Sequence, residues 1–293
     1  REQSTANRIE RRCGRCRERL RVTRLIALDL DGTVLFHDGT FDPRIAEVLR
    51  QLEAAGHEIV IATGRSVDAT LPVVEQLKIR PRWVVACNGA VVLARDPLAH
   101  RGYRVEYAET FDTTEVLTRI RTHLLTARYA IEDADGLFLY TEAIPDATLP
   151  TRKRQVPFEQ LLGVQATRVV VVSPDHHLEE FLRVVEQMGL SSVSYAIGWT
   201  AWLDIAPDGV TKASALERII ARLEIPRDRV LAAGDGRNDI QMLKWAAHRG
   251  VAVAMGQAPD DVKAVANHIT STVEDGGLAA ALEAEFPEIL APR

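Results

Sequence analysis

Two aspartates spaced two residues apart open the chemistry of this chain. Asp29-Leu30-Asp31-Gly32-Thr33 directly follows a short apolar run, Arg24 to Leu28. Ligands of open parallel sheets bind just beyond the carboxyl ends of strands, so both carboxylates can aim at one pocket. A carboxylate held there can attack phosphorus and divide a transfer into two easier steps. A second carboxyl group can protonate a leaving oxygen and later deprotonate water. Gly32 lets the backbone turn, and the surrounding N–H groups suit a phosphate. Read alone, the same string is also an ordinary Asp/Gly turn.

Three further places share this position after a strand or at the head of a helix. Thr63-Gly64-Arg65 follows the run Glu58 to Ala62 and offers a hydroxyl and glycine-exposed N–H groups to a phosphoryl oxygen; Ser66 or a neighbour is placed to open a helix there. Lys212 stands at the start of a helix marked by Leu216, Ile219, Ile220 and Leu223, and by itself reads as a surface charge. Gly234-Asp235-Gly236-Arg237-Asn238-Asp239 follows the run Val230 to Ala233. Its oxygens are hard ligands of the kind Mg²⁺ prefers, although Asn238 and Asp239 also suit plain helix caps.

The elements that must position these residues form an α/β pattern. A helix with Asp42 as N-cap, Pro43 at its first position and Ile45, Val48, Leu49 and Leu52 on one face links two buried-strand runs. Such a unit implies a parallel sheet with a right-handed crossover. The segment 91–200 differs in texture. Gly136–Thr141 and Ser192–Ile197 alternate like half-covered antiparallel strands, and helices are expected near Thr114–Leu125 and Leu178–Met188. The expected organisation is a Rossmann-like, doubly wound parallel sheet core over 24–90 and 201–293, with an inserted α+β cap over 91–200.

Composition excludes several classes. Net charge is −5 and 46% of the 293 residues are hydrophobic, which suits a globular protein and gives no basic surplus for nucleic acid or an anionic membrane. No run approaches the roughly 20 apolar residues needed to span a bilayer. Residues 1–23 are Arg-rich and expected to be a disordered leader, since nine Arg face three Glu through Arg24. Cys13 and Cys16 form a lone CxxC without the further ligands of a zinc site. Sparse cysteine and the lack of an export signal favour a cytoplasmic setting. His176-His177 reads as a solvated loop, and Trp199 and Trp202 lie on a cap strand as packing or as a wall facing substrate.

Taken together, the four motifs resemble those of the haloacid dehalogenase-like phosphatases: DxDGT after a strand, a Thr, a Lys, and GDxxND, in that order. Ala62-Thr63-Gly64-Arg65, Cys87-Asn88-Gly89-Ala90 and Gly250-Val251-Ala252-Val253-Ala254-Met255-Gly256 resemble the Cof-like branch, whose inserted cap is of the C2 type. Ala213 and Gln257 depart from that pattern, and neither is assigned chemistry. The resemblance implies Asp29 as nucleophile and Asp31 as general acid and base. Thr63 and Lys212 would hold the phosphoryl oxygens. Asp29, the backbone carbonyl of Asp31, and Asp235 would bind Mg²⁺, with Asn238 and Asp239 in support. Thr63, Gly64, Arg65, Asn88 and Lys212 would line the substrate side. The implied reaction is hydrolysis of a small phosphorylated metabolite, such as a sugar phosphate, through an aspartyl-phosphate. Phosphomannomutase-like transfer and a phospho-accepting signalling module are the alternatives. Asp31 argues against the latter, because a stable phospho-switch should lack a base that hydrolyses it.

Overall fold

The structure is a computed structural model that describes residues 23–144, 152–190, 193–197 and 201–290. The Arg-rich segment, Cys13, Cys16 and Trp199 therefore lie outside the described residues.

In chain order the first strands are β1 (Leu25–Leu28), β2 (Glu58–Ala62), β3 (Trp83–Ala86), β4 (Val91–Arg95) and β5 (Tyr103–Ala108). Then come β6 (Phe111–Asp112), β7 (Arg128–Asp133), β8 (Phe138–Tyr140), β9 (Lys153–Gln155), β10 (Gln165–Val172), β11 (Val193–Ile197) and β12 (Trp202–Pro207). The chain closes with β13 (Val230–Gly234), β14 (Val251–Ala254) and β15 (His268–Ile269). One sheet has the order β15-β14-β13-β1-β2-β3-β4-β5, and the other β11-β12-β10-β7-β8-β9 with β6 beside β10.

β1 sits centrally, parallel to both β13 and β2. All four of its residues are buried, as expected of a strand covered on both faces. The covering helices are α1 (Pro43–Ala54) and α2 (Val67–Gln76) on one face, and α5 (Lys212–Leu223) and α6 (Ile240–Ala247) on the other. Local chemistry sets their starts. Asp42 accepts the N–H of Arg44 at 2.8 Å, with Pro43 at the first position of α1, and Ser66 accepts the N–H of Ala69 at 3.2 Å to open α2. Thr211 and Ser214 close a reciprocal capping box at the head of α5, which fixes where Lys212 begins.

The boundaries expected for the insert are corrected. β4 and β5 pair antiparallel with β3 and with each other, so the first sheet continues through Ala108 rather than ending before Val91. At the other end β12 pairs with β10, so the second sheet extends to Pro207. An antiparallel hairpin has the same alternation at the edge of a parallel sheet as in a separate one, and this explains the shift. Helices α3 (Thr114–His123) and α4 (Leu178–Met188) pack on one face of the second sheet around Tyr129, Ile131, Val169, Val171 and Phe181. The opposite face carries Ala130, Phe138 and Val170, with half-buried Trp202 packed against them. Trp202 is thus a packing residue. No helix among the described residues is long and apolar enough to cross a membrane.

Candidate active site

The ends of β1, β2 and β13 bring the expected residues together from distant parts of the chain. Lys212, fully buried, donates to Asp29 Oδ1 and to Asp239 Oδ1, each at 2.6 Å. The other oxygen of Asp239 accepts the N–H groups of Asp235 and Gly236 at 3.1 and 3.0 Å. Asp239 is therefore spent on holding Lys212 and the Asp235 loop. Carboxylate oxygens of Asp29, Asp235 and Asp239 all lie within 4.8 Å of one another, and all three residues are buried.

This donor set fits a hard divalent cation. Three buried carboxylates against one ammonium leave two negative charges, the charge that one Mg²⁺ would balance. The electrostatics express the same imbalance. Burial and then the neighbouring Asp239 push Asp29 well above the usual carboxylate range, with Lys212 pulling the other way. Burial and Asp239 likewise raise Asp235 to about 7. For Lys212 burial acts to lower the pKa, but Asp239 and Asp29 outweigh it and raise it, so the ammonium stays charged. The backbone makes room for this cluster. Gly32 has φ +77°, and a Cβ there would stand 2.0 Å from Asp235 Oδ2. Only glycine allows both the turn and that approach.

Asp31 points elsewhere. Its exposed carboxylate is forked by Arg65, with Nε to Oδ2 at 2.8 Å and a second contact from the guanidinium to Oδ1. A carboxylate held through both oxygens cannot hand a proton to a leaving group, so acid catalysis requires Arg65 to let go. Arg65, expected on the substrate side, is instead the partner of Asp31 in this arrangement. Thr63 is fully buried and its Oγ1 accepts the N–H of Arg65 at 3.1 Å.

Cys87, Asn88 and Gly89 are three consecutive residues with positive φ, at 49°, 52° and 107°. Such a run costs energy and persists where surrounding contacts over-determine it. Here the Asn88 N–H bonds to Thr63 O at 3.0 Å, and a Cβ on Gly89 would meet Thr211 O at 2.2 Å. The Asn88 side chain accepts from Asn238 Nδ2 at 3.1 Å and donates to Asp204 Oδ2 at 3.0 Å. The Asn238 amide nitrogen is thereby engaged by the loop between β3 and β4. Beside Lys212 and Asn238 lies a cavity of about 430 Å³, walled also by Asn88, Tyr195, Asp204 and Arg237.

Sequence reasoning missed four residues here. The Gln257 amide bonds to Gly32 O and, at 3.2 Å, to Asp235 Oδ2, so a position given no chemistry touches the acidic cluster. Glu132, Arg168 and Asp204, from three strands of the second sheet, reach the loops of the first. Lone charged residues on alternating strands carry no signal for this. His176 bonds to Ser173 Oγ at 2.7 Å at the head of α4 and joins no metal-ligating group among the described residues.

Known proteins resemble this chain along most of its length. The family model of the haloacid dehalogenase-like hydrolases matches residues 26–282. Among relatives, the 5-amino-6-(5-phospho-D-ribitylamino)uracil phosphatase YitU of Bacillus subtilis is 29% identical over 269 residues, covering 89% of this chain and 97% of its own. The pyridoxal phosphate phosphatase YbhA of Escherichia coli is 29% identical over 259 residues, covering 84% and 92%. A haloacid dehalogenase-like hydrolase from B. subtilis superposes with a TM-score of 0.73 at 23% identity, covering 89% of this chain and 99% of that one. A subclass IIB sugar phosphatase of the superfamily gives 0.73 at 22% identity, covering 90% and 99%. The two structural likenesses speak for the fold, and the match of the family model along most of the chain decides the family. The chain belongs to the haloacid dehalogenase-like hydrolases.

Proposed function

We propose that this protein is a Mg²⁺-dependent phosphatase that hydrolyses a small phosphorylated metabolite through a phosphoaspartate on Asp29. The observation that carries the reading is the buried Asp29–Lys212–Asp239 chain at the end of β1, with a second carboxyl group, Asp31, two residues further on. Lys212 holds one oxygen of Asp29 and leaves the other for attack. Asp29, the carbonyl of Asp31, and Asp235 would hold the metal, which when bound offsets the repulsion between a carboxylate and an anionic phosphate. Once Arg65 has released Asp31, Asp29 forms the new O–P bond as the leaving oxygen departs with a proton from Asp31. Asp31 then takes a proton from water, whose oxygen displaces Asp29 from phosphorus. Thr63 and Lys212 steady the phosphoryl oxygens throughout.

Relatives named for phosphoribitylamino-uracil and pyridoxal phosphate support a ring-sized or polyol leaving group, and the cavity of about 430 Å³ has room for one. Rapid-quench labelling with a ³²P-phosphomonoester tests the roles. Asp29→Asn should give neither label nor turnover. Asp31→Asn should accumulate label and lose about 10²–10⁴-fold on alkyl phosphates, but less on p-nitrophenyl phosphate, whose leaving group needs little protonation. A labelled Asp29→Asn enzyme would defeat the assignment.

A further inference from the structure

Glu132 and Arg168 of the second sheet are buried where it meets the first, with partly buried Asp204 beside them, and the phosphatase chemistry uses none of the three. Arg168 on β10 stands opposite Glu132 on β7 in the strand register, and Asp204 on β12 is diagonal to it, opposite Val170. The Arg168 side chain is 4% exposed, Glu132 3% and Asp204 14%. Arg168 Nε lies 3.7 Å from Glu132 Oε2 and 3.9 Å from Asp204 Oδ1, while its terminal nitrogen donates to the backbone carbonyl of Gly64. Burying a guanidinium between two carboxylates is costly unless its geometry is used. Its bond to the Gly64 carbonyl ends on the residue after Thr63. The carboxylates reach the same loops: Asp204 accepts from Asn88, and Glu132 Oε2 lies 3.7 Å from Cys87 Sγ.

We infer that Arg168 is a positioning residue of the second sheet, which fixes the phosphate-holding loop Thr63-Gly64-Arg65 through the Gly64 carbonyl and is itself aimed by Glu132 and Asp204. The first sheet holds the loop through Thr63 and Arg65, but the Gly64 carbonyl is held from the second sheet, so arrival of that sheet completes the fixing of the phosphoryl site as well as covering it. Asp204 also lines the cavity beside Lys212. A leaving group that touches Asp204 therefore bears on the same guanidinium that steadies the loop.

This inference rests on the phosphatase reading for its kinetic arm only. Arg168→Lys keeps the charge but cannot span both carboxylates and Gly64 at once, and Arg168→Met removes the charge. Hydrogen exchange followed by mass spectrometry should show faster exchange over residues 62–66 in both variants, with β13 and β14 unchanged. With Mg²⁺ present, inhibition of p-nitrophenyl phosphate turnover by orthovanadate should weaken about tenfold, the size expected for loss of a charge-assisted hydrogen bond. Should Arg168→Met fail to fold, Arg168→Lys alone decides. Unchanged exchange over 62–66, with loosening confined to the second sheet, would reduce Arg168 to a packing role and overturn the inference. If the wild-type protein turned over no phosphomonoester, the phosphatase reading would fall, and the exchange measurement would still decide whether Arg168 holds the loop.

Discussion

Two buried clusters in this molecule face the same electrostatic problem and resolve it differently. At the end of β1, the carboxylates of Asp29, Asp235 and Asp239 surround one ammonium, Lys212. On the second sheet, Glu132 and Asp204 flank one guanidinium, Arg168. Both have more buried acid than base. The first is short by two charges and offers converging hard oxygens, so a divalent cation fits it. The second is short by one, and a proton closes the gap: burial raises Glu132 to about 7 despite the attraction of Arg168, with Asp204 and Asp68 adding to the rise. Cys87 supplies no negative charge there, because burial and Glu132 push its thiol well up. An excess of buried charge thus marks a ligand site only where the donors converge.

The largest test of that contrast is removal of divalent metal. Chelation should abolish turnover of p-nitrophenyl phosphate and Mg²⁺ should restore it, while exchange rates over β7 and β10 stay the same. Metal dependence of the second sheet would erase the distinction.

Next in size is the proton on Glu132. Its folded pKa of about 7 lies above the ordinary value of 4.5. Below about 4.5 both states are protonated and nothing is lost. As pH rises from 4.5 to 7 the unfolded chain sheds a proton that the folded chain retains, so stability falls and stays low above 7. The full loss is at most about 3 kcal/mol. Glu132→Gln should flatten this part of the curve, and chemical denaturation at pH 5 and 8 under saturating Mg²⁺ measures it. Equal slopes in the two proteins would show that Glu132 is not the group that titrates.

Gly32→Ala strikes the first cluster alone. The added methyl would drive Asp235 from its place, and metal half-saturation should rise about ten- to a hundredfold. The smallest effect is expected from Gln257→Leu, which frees Asp235 of one hydrogen bond and should shift metal half-saturation about fivefold. Both are read from Mg²⁺ titrations of activity, and a change confined to thermal stability would argue against either residue shaping the metal site.

Legibility in the sequence follows the same division. Asp29 and Asp31 lie two residues apart at the end of one buried run, so their place at a strand end is written locally, whereas the turn of Asp31 towards Arg65 is not. Lys212 is 183 residues from Asp29 and had no signal of its own; only the company of the other motifs marked it. Glu132, Arg168 and Asp204 meet through the register of three strands, and a single charge on an alternating strand reads as a solvated face. The Arg65–Asp31 pair also escaped notice, since Arg65 was expected beside substrate. Residues 91–108 were expected in the insert, because strand patterning does not record which edge a hairpin joins.

The central place of β1 has a consequence for the order in which the protein takes shape. Leu25–Leu28 can pair with β2 once Ala62 has been made, but its other edge is completed only by Val230–Ala233, far later in the chain. Throughout synthesis of the second sheet, a buried-type apolar strand waits with one edge open, and such edges invite pairing with other chains. A nascent chain that stops before β13 has Asp29 but neither the Asp235 loop nor a finished strand end. The enzyme is therefore inert until the segment through Asp239 has been made, and its hazard during that interval is aggregation rather than stray phosphate chemistry.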